Sequence, residues 1–152
     1  MAKRFQFRLE AVLKVRKRKR DEARRIVADR QRRIGRIAER ITACRNGIGE
    51  AVEESRRVQH ATAPDVTALR RYRSYIAAMD RAIGDAEIAM SGERDRLREE
   101  QRQLARANKE VKAIEKLRER QLARHCEQER RADRAEGDEI SLQLHRRARI
   151  TA

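Results

Sequence analysis

Histidine and cysteine, which most often supply metal ligands and nucleophiles, are scarce and scattered in this sequence. The three histidines are His60, His125 and His145, and the two cysteines are Cys44 and Cys126. They are not arranged at the spacing of a metal-ligand set. The sequence also has no Walker lysine, no nucleophile elbow and no pair of carboxylates that would line a cleft. It therefore predicts no catalytic residue, no metal site and no cofactor, and it argues against an enzyme.

The segment NGIG, residues 46–49, also lacks phosphate-binding chemistry. A phosphate-binding loop follows a strand and ends in Lys-Ser/Thr, and neither feature is present. Gly47 and Gly49 are instead expected inside a helix, where each glycine costs about 1 kcal/mol relative to alanine. The segment predicts local bending or fraying of that helix.

Positive charge is the chemistry that the sequence does offer. Lys and Arg number 40 against 25 Asp and Glu, a formal net charge of +15. The densest run is KVRKRKR, residues 14–20. Nucleic acid, an anionic membrane or an acidic protein surface would be attracted to such a run. No aromatic residues are interleaved with it as stacking platforms, and no zinc-finger or RNA-binding motif accompanies it, so base-specific recognition is not predicted.

The elements that position these charges are predicted by a seven-residue periodicity. Charged residues make up 43% of the chain and hydrophobic residues 39%, which favours long helices around a narrow core. Alternating steps of four and three from Leu9 to Val58 give eleven apolar residues in fifteen, and those from Leu69 to Ile114 give twelve in fourteen. The polar exceptions are Arg16, Arg20, Arg30, Ser55, Glu93 and Glu100. Two such series are typical of coiled-coil seams.

A short polar segment separates the two series. It reads QHATAPDVTA, residues 59–68, and contains Pro64, the only proline. Proline marks a helix stop and restart, and either Asp65 or Thr67 is a candidate cap for the second helix. The pattern favours an antiparallel hairpin. The alternative is one continuous helix that dimerises, in which Pro64 would cost about 3 kcal/mol.

The predicted organisation is therefore a single all-α coiled-coil hairpin over residues 1–152. The expected parts are helix 1 at about 5–58, a turn at about 59–67, helix 2 at about 68–136 and a mobile tail at about 137–152. The tail is predicted because the apolar periodicity fades beyond about residue 120.

Charge is distributed unevenly along the chain. Residues 1–40 contain 16 Lys and Arg against 5 Asp and Glu, residues 101–152 contain 14 against 9, and residues 61–100 contain 7 against 8. Because a hairpin brings its termini together, the two basic segments are expected to share one end of a rod. Two chemically different ends favour a protein that connects two partners, although charge on a coiled coil is usually a solvated face.

Both tyrosines fall in one segment, YRSYIAAMDRAI, residues 72–83. Tyr72 belongs to the second heptad series with Ile76 and Ile83, whereas Tyr75 lies beside it. Two interpretations of Tyr75 remain open. It is either the aromatic anchor of a docking surface or a cover for the flank of the seam.

No targeting segment is predicted at the N-terminus. Residues 1–20 lack the apolar core of a secretory signal, and no apolar run approaches the roughly 18 residues of a membrane span. These residues also suit a mitochondrial presequence, but the heptad runs on from Leu9 without a break, which favours mature structure. Cys44 and Cys126 are expected to lie too far apart for a disulfide, which fits a reducing cytoplasm.

Three segments together resemble the FliJ family of the bacterial flagellar export apparatus. FQFRLEAVLKVRKRKRDEA, residues 5–23, is similar to the family's opening Phe-x-Phe-x-Leu-x-x-Val-Leu-x-x-Arg pattern. YRSYIAAMDRAI, residues 72–83, resembles its Tyr-x-x-aromatic-Ile segment after the turn. VKAIEKLRERQ, residues 111–121, resembles its Lys-x-Ile/Leu-Glu-Lys-Leu-Lys/Arg-Glu stretch. The three segments occur in order and span nearly the whole chain.

The resemblance implies a protein of flagellum biogenesis, motility and type III export, shaped like the central stalk of rotary ATPases. It implies binding to the ring of the export ATPase FliI and to the cytoplasmic domain of the export gate FlhA. It further links the protein to the ATPase regulator FliH and to substrate chaperones. The implied location is the cytoplasm, peripherally at the inner-membrane export apparatus. Injectisome relatives of the YscO type remain a near variant.

The resemblance also implies two sets of contact residues. The gate-contact positions are Tyr75, Met79, Ala82 and Ala86. The ATPase-ring positions are Phe5, Phe7, Leu9, Lys14, Arg16, Lys17, Arg18, Arg20, Lys112, Lys116 and Arg120. The sequence departs from the family pattern in its heavy arginine load and in two small alanines among the gate positions. The alternative is a basic coiled-coil protein that binds nucleic acid or an anionic membrane.

Overall fold

The protein consists of two long helices joined by a short turn. A computed structural model describes residues 5–150, with side chains described through Arg146. Helix α1 spans Glu10–Gln59 and helix α2 spans Val66–Ile150. Within the described range no strand is present. The predicted all-α fold of two packed helices is confirmed.

Helix α1 begins later than the predicted residue 5. The amide of Glu10 donates to the carbonyl of Phe7 at 3.1 Å, and the amide of Leu13 donates to the carbonyl of Leu9 at 2.9 Å. Glu10 places a negative charge in the first turn, where it is favourable next to the positive end of the helix dipole. Phe7 lies just before the helix and is buried.

The turn is stabilised by a side-chain cap at the start of α2. The Asp65 carboxylate accepts hydrogen bonds from the amides of Thr67 at 2.8 Å and Ala68 at 3.1 Å. Asp65 therefore caps α2, and Thr67, the other candidate, does not. Pro64 lies immediately before the cap, outside both helices. The alternative of one continuous helix is wrong, because α1 ends at Gln59.

Contacts divide the chain into two compact units. Unit 1 combines residues 1–20 with residues 106–152, and unit 2 comprises residues 21–105. Each unit contains a segment of α1 packed antiparallel on a segment of α2. The buried residues of unit 1 are Phe7, Leu13 and Val111, and those of unit 2 are Val27, Ile41, Ala51 and Ala86.

The heptad positions predict the buried face of both helices. Every position of the first series is buried or half-buried except Leu9, which is 36% exposed. All fourteen positions of the second series are buried or half-buried. The polar exceptions also face the seam, so they are part of the interhelical packing.

Helix α2 continues well beyond the predicted end at about residue 136. It reaches Ile150, although every described side chain from residue 130 to residue 146 is exposed. No proline follows Pro64, and local ion pairs support this stretch, such as Arg131 Nε to Glu127 Oε1 at 3.0 Å. The fading apolar pattern thus marks the end of interhelical burial, and the helix itself persists. The mobility of the tail stays a prediction.

None of the described helices is both long and apolar enough to span a lipid bilayer.

Candidate functional site

The basic run of unit 1 is split by the packing into paired and unpaired cations. Arg16 forms an ion pair with Glu110 of α2, and Lys17 Nζ lies 2.9 Å from Glu115 Oε1. Lys14 and Arg18 are exposed and have no ion pair among the described residues. The second group is therefore available to an external anionic surface, whereas the first is paired with carboxylates of the facing helix.

The cations of α2 that were predicted to contact the ATPase ring are also exposed and unpaired within the described chain. Lys112, Lys116 and Arg120 are exposed and form no ion pair with any residue of the described part of the chain. The sequence segments of unit 1 contain 22 Lys and Arg against 10 Asp and Glu, whereas residues 21–105 contain 18 against 15. Positive charge is thus concentrated in unit 1.

The predicted apolar ATPase-ring positions differ in accessibility. Phe7 is only 8% exposed and belongs to the core of unit 1, so its side chain offers little surface to a partner. Phe5 packs edge-on against His125, with ring centroids 5.6 Å apart. Leu9 is partly exposed. Arg20, the last cation of the run, is half-buried.

The gate-contact residues of unit 2 lie along one stretch of α2 with different exposure. Tyr75 is 44% exposed, whereas Met79 and Ala82 are half-buried. Ala86 is only 8% exposed and lies at a seam position. It therefore acts mainly as a core residue, although it also lines a groove of about 400 Å³ with Ala82.

Tyr75 is not a free side chain, because its ring lies across α1. A β-carbon placed on Gly47 would lie 2.6 Å from the Tyr75 hydroxyl oxygen, closer than β-carbons approach other atoms in proteins. Neither interpretation from the sequence included this contact. The ring lies against α1 at Gly47, and its exposed part borders a groove of about 380 Å³ that also contains Ala51 and Tyr72.

A charged cluster lies within the seam of unit 2. Arg30 Nη1 donates to Glu93 Oε2 at 2.6 Å, and Arg30 Nη2 donates to Glu100 Oε1 at 2.6 Å. The hydrogen bonds that Arg30 donates to Glu100 and Glu93 raise the pKa of Arg30 above its ordinary value. The hydrogen bond from Arg30 lowers the pKa of Glu93 below its ordinary value. All three side chains are paired with one another, so the cluster is structural in character.

Sequence reasoning missed several residues that the structure brings into these surfaces. Lys19 is exposed and unpaired within the described chain, like its neighbour Arg18, and the run of charges contains the signal for it. Gly47 was assigned to bending, yet α1 is continuous through it. Its contact with Tyr75 depends on the register of the two helices, which the heptad pattern does not fix.

The described residues offer two surfaces that are suited to binding. They contain no cluster of His, Cys, Asp or Glu that would hold a metal ion. The accessible features are the unpaired cations of unit 1 and the groove of unit 2 that is lined by Tyr72 and Tyr75. Both are typical of protein-interaction sites.

Comparison with known proteins agrees with the three-segment resemblance. A family model described as Flagellar FliJ protein matches residues 5–149. A Flagellar FliJ protein of Bacillus subtilis (strain 168) is 22% identical over 138 residues, which cover 91% of this chain and 93% of that protein. No solved structure matches the chain. Since the family match extends over nearly the whole chain, the protein belongs to the FliJ family and takes part in flagellar protein export.

Proposed function

We propose that the protein is a non-catalytic connector in flagellar export, which binds the ring of the export ATPase FliI and the cytoplasmic domain of the export gate FlhA. Membership of the FliJ family supports this proposal, as does the chemical difference between the two units. The observation that carries it is the sorting of the basic run, in which Lys14 and Arg18 remain exposed and unpaired within the described chain.

Unit 1 is the proposed ATPase contact. Its unpaired cations are Lys14, Arg18, Lys112, Lys116 and Arg120, to which the structure adds Lys19. Exposed charges of one sign accelerate association with an oppositely charged surface and orient the encounter. The complementary surface of the ATPase ring is therefore expected to be acidic, and binding is expected to weaken with added salt.

Unit 2 is the proposed gate contact. Tyr75 is the aromatic anchor, because it is the large residue with the most exposed surface among the gate positions. Met79 and Ala82 extend the contact along α2. Ala86 contributes through the floor of the adjacent groove and not as a protruding side chain.

The remaining associations follow from these two contacts. Binding to the gate would place the protein at the cytoplasmic side of the inner membrane, peripherally. FliH and substrate chaperones are further proposed partners. A role in a flagellar system, in preference to an injectisome of the YscO type, is favoured by the flagellar family match.

The ATPase contact is tested by charge reversal of the unpaired cations. Lys14→Glu/Arg18→Glu is expected to reduce binding to the purified FliI ring and stimulation of its ATPase activity at unchanged helicity. A matched control is Arg94→Glu/Arg98→Glu, which changes the net charge equally in unit 2. If both double variants bind equally well, the basic surface of unit 1 is not the contact.

The gate contact is tested by calorimetric titration into the FlhA cytoplasmic domain. Tyr75→Ala is expected to weaken binding by about tenfold or more, as loss of an aromatic anchor usually does. Helicity is followed by circular dichroism. A wild-type protein that binds neither FliI nor FlhA, but binds DNA or anionic vesicles in a salt-dependent way, would support the nucleic-acid or membrane alternative instead.

A further inference from the structure

The Tyr75 side chain packs against α1 at Gly47, where a side chain is absent. A β-carbon built there would lie 2.6 Å from the Tyr75 hydroxyl oxygen and 3.6 Å from the ring carbon that carries it. The second distance is an ordinary van der Waals contact. Only the hydroxyl is therefore incompatible with a side chain at residue 47.

Gly49 provides a contrast two residues away. A β-carbon at Gly49 would meet nothing within 4 Å. Both glycines lie in the interior of α1, and neither has the positive φ that only glycine adopts readily. Backbone conformation thus does not explain why glycine occurs at either position. The close approach of another side chain explains the glycine at position 47 but not the one at position 49.

A methyl group at residue 47 would be relieved by moving Tyr75. The hydroxyl is the far end of a side chain with two rotatable bonds, and Tyr75 is 44% exposed, so there is room for the ring to rotate outward. The conflict would therefore cost little stability. Its main consequence would be a change in where the Tyr75 ring lies.

We propose that Gly47 is a positioning residue for the gate contact, because its missing side chain seats the Tyr75 ring across α1. This inference rests on the proposed binding of FlhA through Tyr75. The docking surface is then built from both helices and includes the groove that Tyr75 lines together with Gly47 and Ala51. A ring that already lies against α1 in the free protein loses less rotational freedom when the gate binds, which increases affinity.

The test compares Gly47→Ala with Gly49→Ala in the full-length chain. Each variant replaces a helical glycine by alanine in the same segment, so their effects on helix propensity are matched. Tyrosine ring NMR signals report the two environments separately, with Tyr75→Phe providing the assignment. Gly47→Ala is expected to shift the Tyr75 signals and to weaken FlhA binding by about tenfold. Gly49→Ala is expected to do neither.

A rescue variant separates positioning from general damage. Tyr75→Phe removes the one atom that conflicts with residue 47, so Gly47→Ala/Tyr75→Phe is expected to bind FlhA as Tyr75→Phe does. Restored binding in the double variant would support positioning through Tyr75. Binding as weak as in Gly47→Ala would overturn it.

The outcomes distinguish failure of this inference from failure of the gate contact. If the wild type binds and Tyr75→Ala does not, but Gly47→Ala binds normally, positioning is wrong while the gate contact stands. If the wild type does not bind FlhA, the gate contact fails, and unchanged Tyr75 signals in Gly47→Ala would refute the seating of the ring as well. Equal shifts of Tyr72 with loss of helicity would mean disruption of the seam, which also overturns positioning.

Discussion

Arg30 of α1 binds Glu100 of α2 through two parallel hydrogen bonds across the seam of unit 2. Arg30 Nη2 donates to Glu100 Oε1 at 2.6 Å, and Nε donates to Oε2 at 3.1 Å. Both side chains are 15% exposed. A third seam residue, Glu93, accepts from Nη1 of the same guanidinium. Three of the six polar exceptions among the heptad positions therefore satisfy one another.

Such a cluster contributes more to the correct register of α1 on α2 in unit 2 than to the free energy of folding. Removing charges from water is costly, and the gain from pairing depends on good geometry. Glu93 and Glu100 are seven residues apart, so a shift of α2 by one heptad would leave Arg30 opposite one of them and an alanine, Ala86 or Ala107, in place of the other. One carboxylate would then lose its counter-charge. The cluster thus favours one register of unit 2, in the manner of polar residues at coiled-coil core positions.

Removal of Arg30 alone is predicted to be worse than removal of the whole cluster. Arg30→Leu would leave two carboxylates facing each other in the seam without a counter-charge. Arg30→Leu/Glu93→Leu/Glu100→Leu would leave an apolar seam. We expect a lower urea midpoint for the single variant than for the triple variant, with wild type as reference. The triple variant being the less stable of the two would contradict this account.

Acid is predicted to weaken unit 2 through Glu93. The hydrogen bond from Arg30 lowers the pKa of this carboxyl below its ordinary value of 4.5. A group with a lowered pKa in the folded state stabilises fully above the unfolded value, and that stabilisation is lost as the pH falls. Stability is therefore expected to fall from about pH 4.5 downward.

Glu93→Gln tests this acid dependence. The variant is expected to be less stable at neutral pH and to lose less stability than wild type on acidification, as measured by thermal unfolding at several pH values. Glu99→Gln, which removes an exposed carboxylate, is the control. If stability falls with pH in the same way for wild type and Glu93→Gln, Glu93 is not the source of the acid dependence.

The heptad pattern predicted which faces of the helices are buried, because burial follows the spacing of apolar residues. It treated Arg30, Glu93 and Glu100 as exceptions, because their pairing depends on how α2 is aligned on α1. Likewise, the alignment of the two helix segments within unit 1 determines which cations of the basic run are paired. Sequence order alone does not separate Lys17 from Arg18, whereas the position of Glu115 does.

Core packing in unit 1 is predicted to depend strongly on Val111. This residue is 1% exposed, whereas Val15 of the same unit is 50% exposed. Val111→Ala is expected to cost about 2 kcal/mol, from lost burial and the cavity that remains. Val15→Ala, the same chemical change, is expected to alter stability by about 0.5 kcal/mol or less. Chemical unfolding measures the loss of stability in each variant. Equal losses would show that Val111 is not a core residue.

The turn is predicted to depend on the side chain of Asp65. Asp65→Ala removes the acceptor for two amides at the start of α2 and is expected to cost about 1 kcal/mol. Asp65→Asn retains an acceptor and is expected to be nearly neutral. Thr67→Ala is the control, because the Thr67 side chain makes no cap. A larger loss in Thr67→Ala than in Asp65→Ala would reverse the assignment of the cap.

The tyrosine site shows where sequence reasoning stops. Spacing predicted that Tyr72 lies on the seam and that Tyr75 lies beside it, and their exposure agrees. Spacing did not predict that Tyr75 reaches across to Gly47, because a glycine in a helix has the same appearance whether it faces a neighbour or solvent. Only the packed helices distinguish Gly47 from Gly49.

The division of the basic run into paired and unpaired cations predicts different effects of neighbouring charge reversals. Lys17 pairs with Glu115 at 2.9 Å, with side chains that are 42% and 38% exposed. Lys17→Glu is therefore expected to lower stability, and Lys17→Glu/Glu115→Lys is expected to restore it. The coupling energy is expected to be about 0.5 kcal/mol, since exposed pairs contribute little.

Arg18→Glu, one residue on, should leave stability nearly unchanged. Urea unfolding at low salt measures these three variants together with Glu115→Lys, which the coupling energy also requires, and repetition at about 1 M salt should abolish the coupling. Coupling that persists at high salt would show that the two side chains interact by packing, and the reversal of Lys17 would then be unsuitable for separating stability from partner binding.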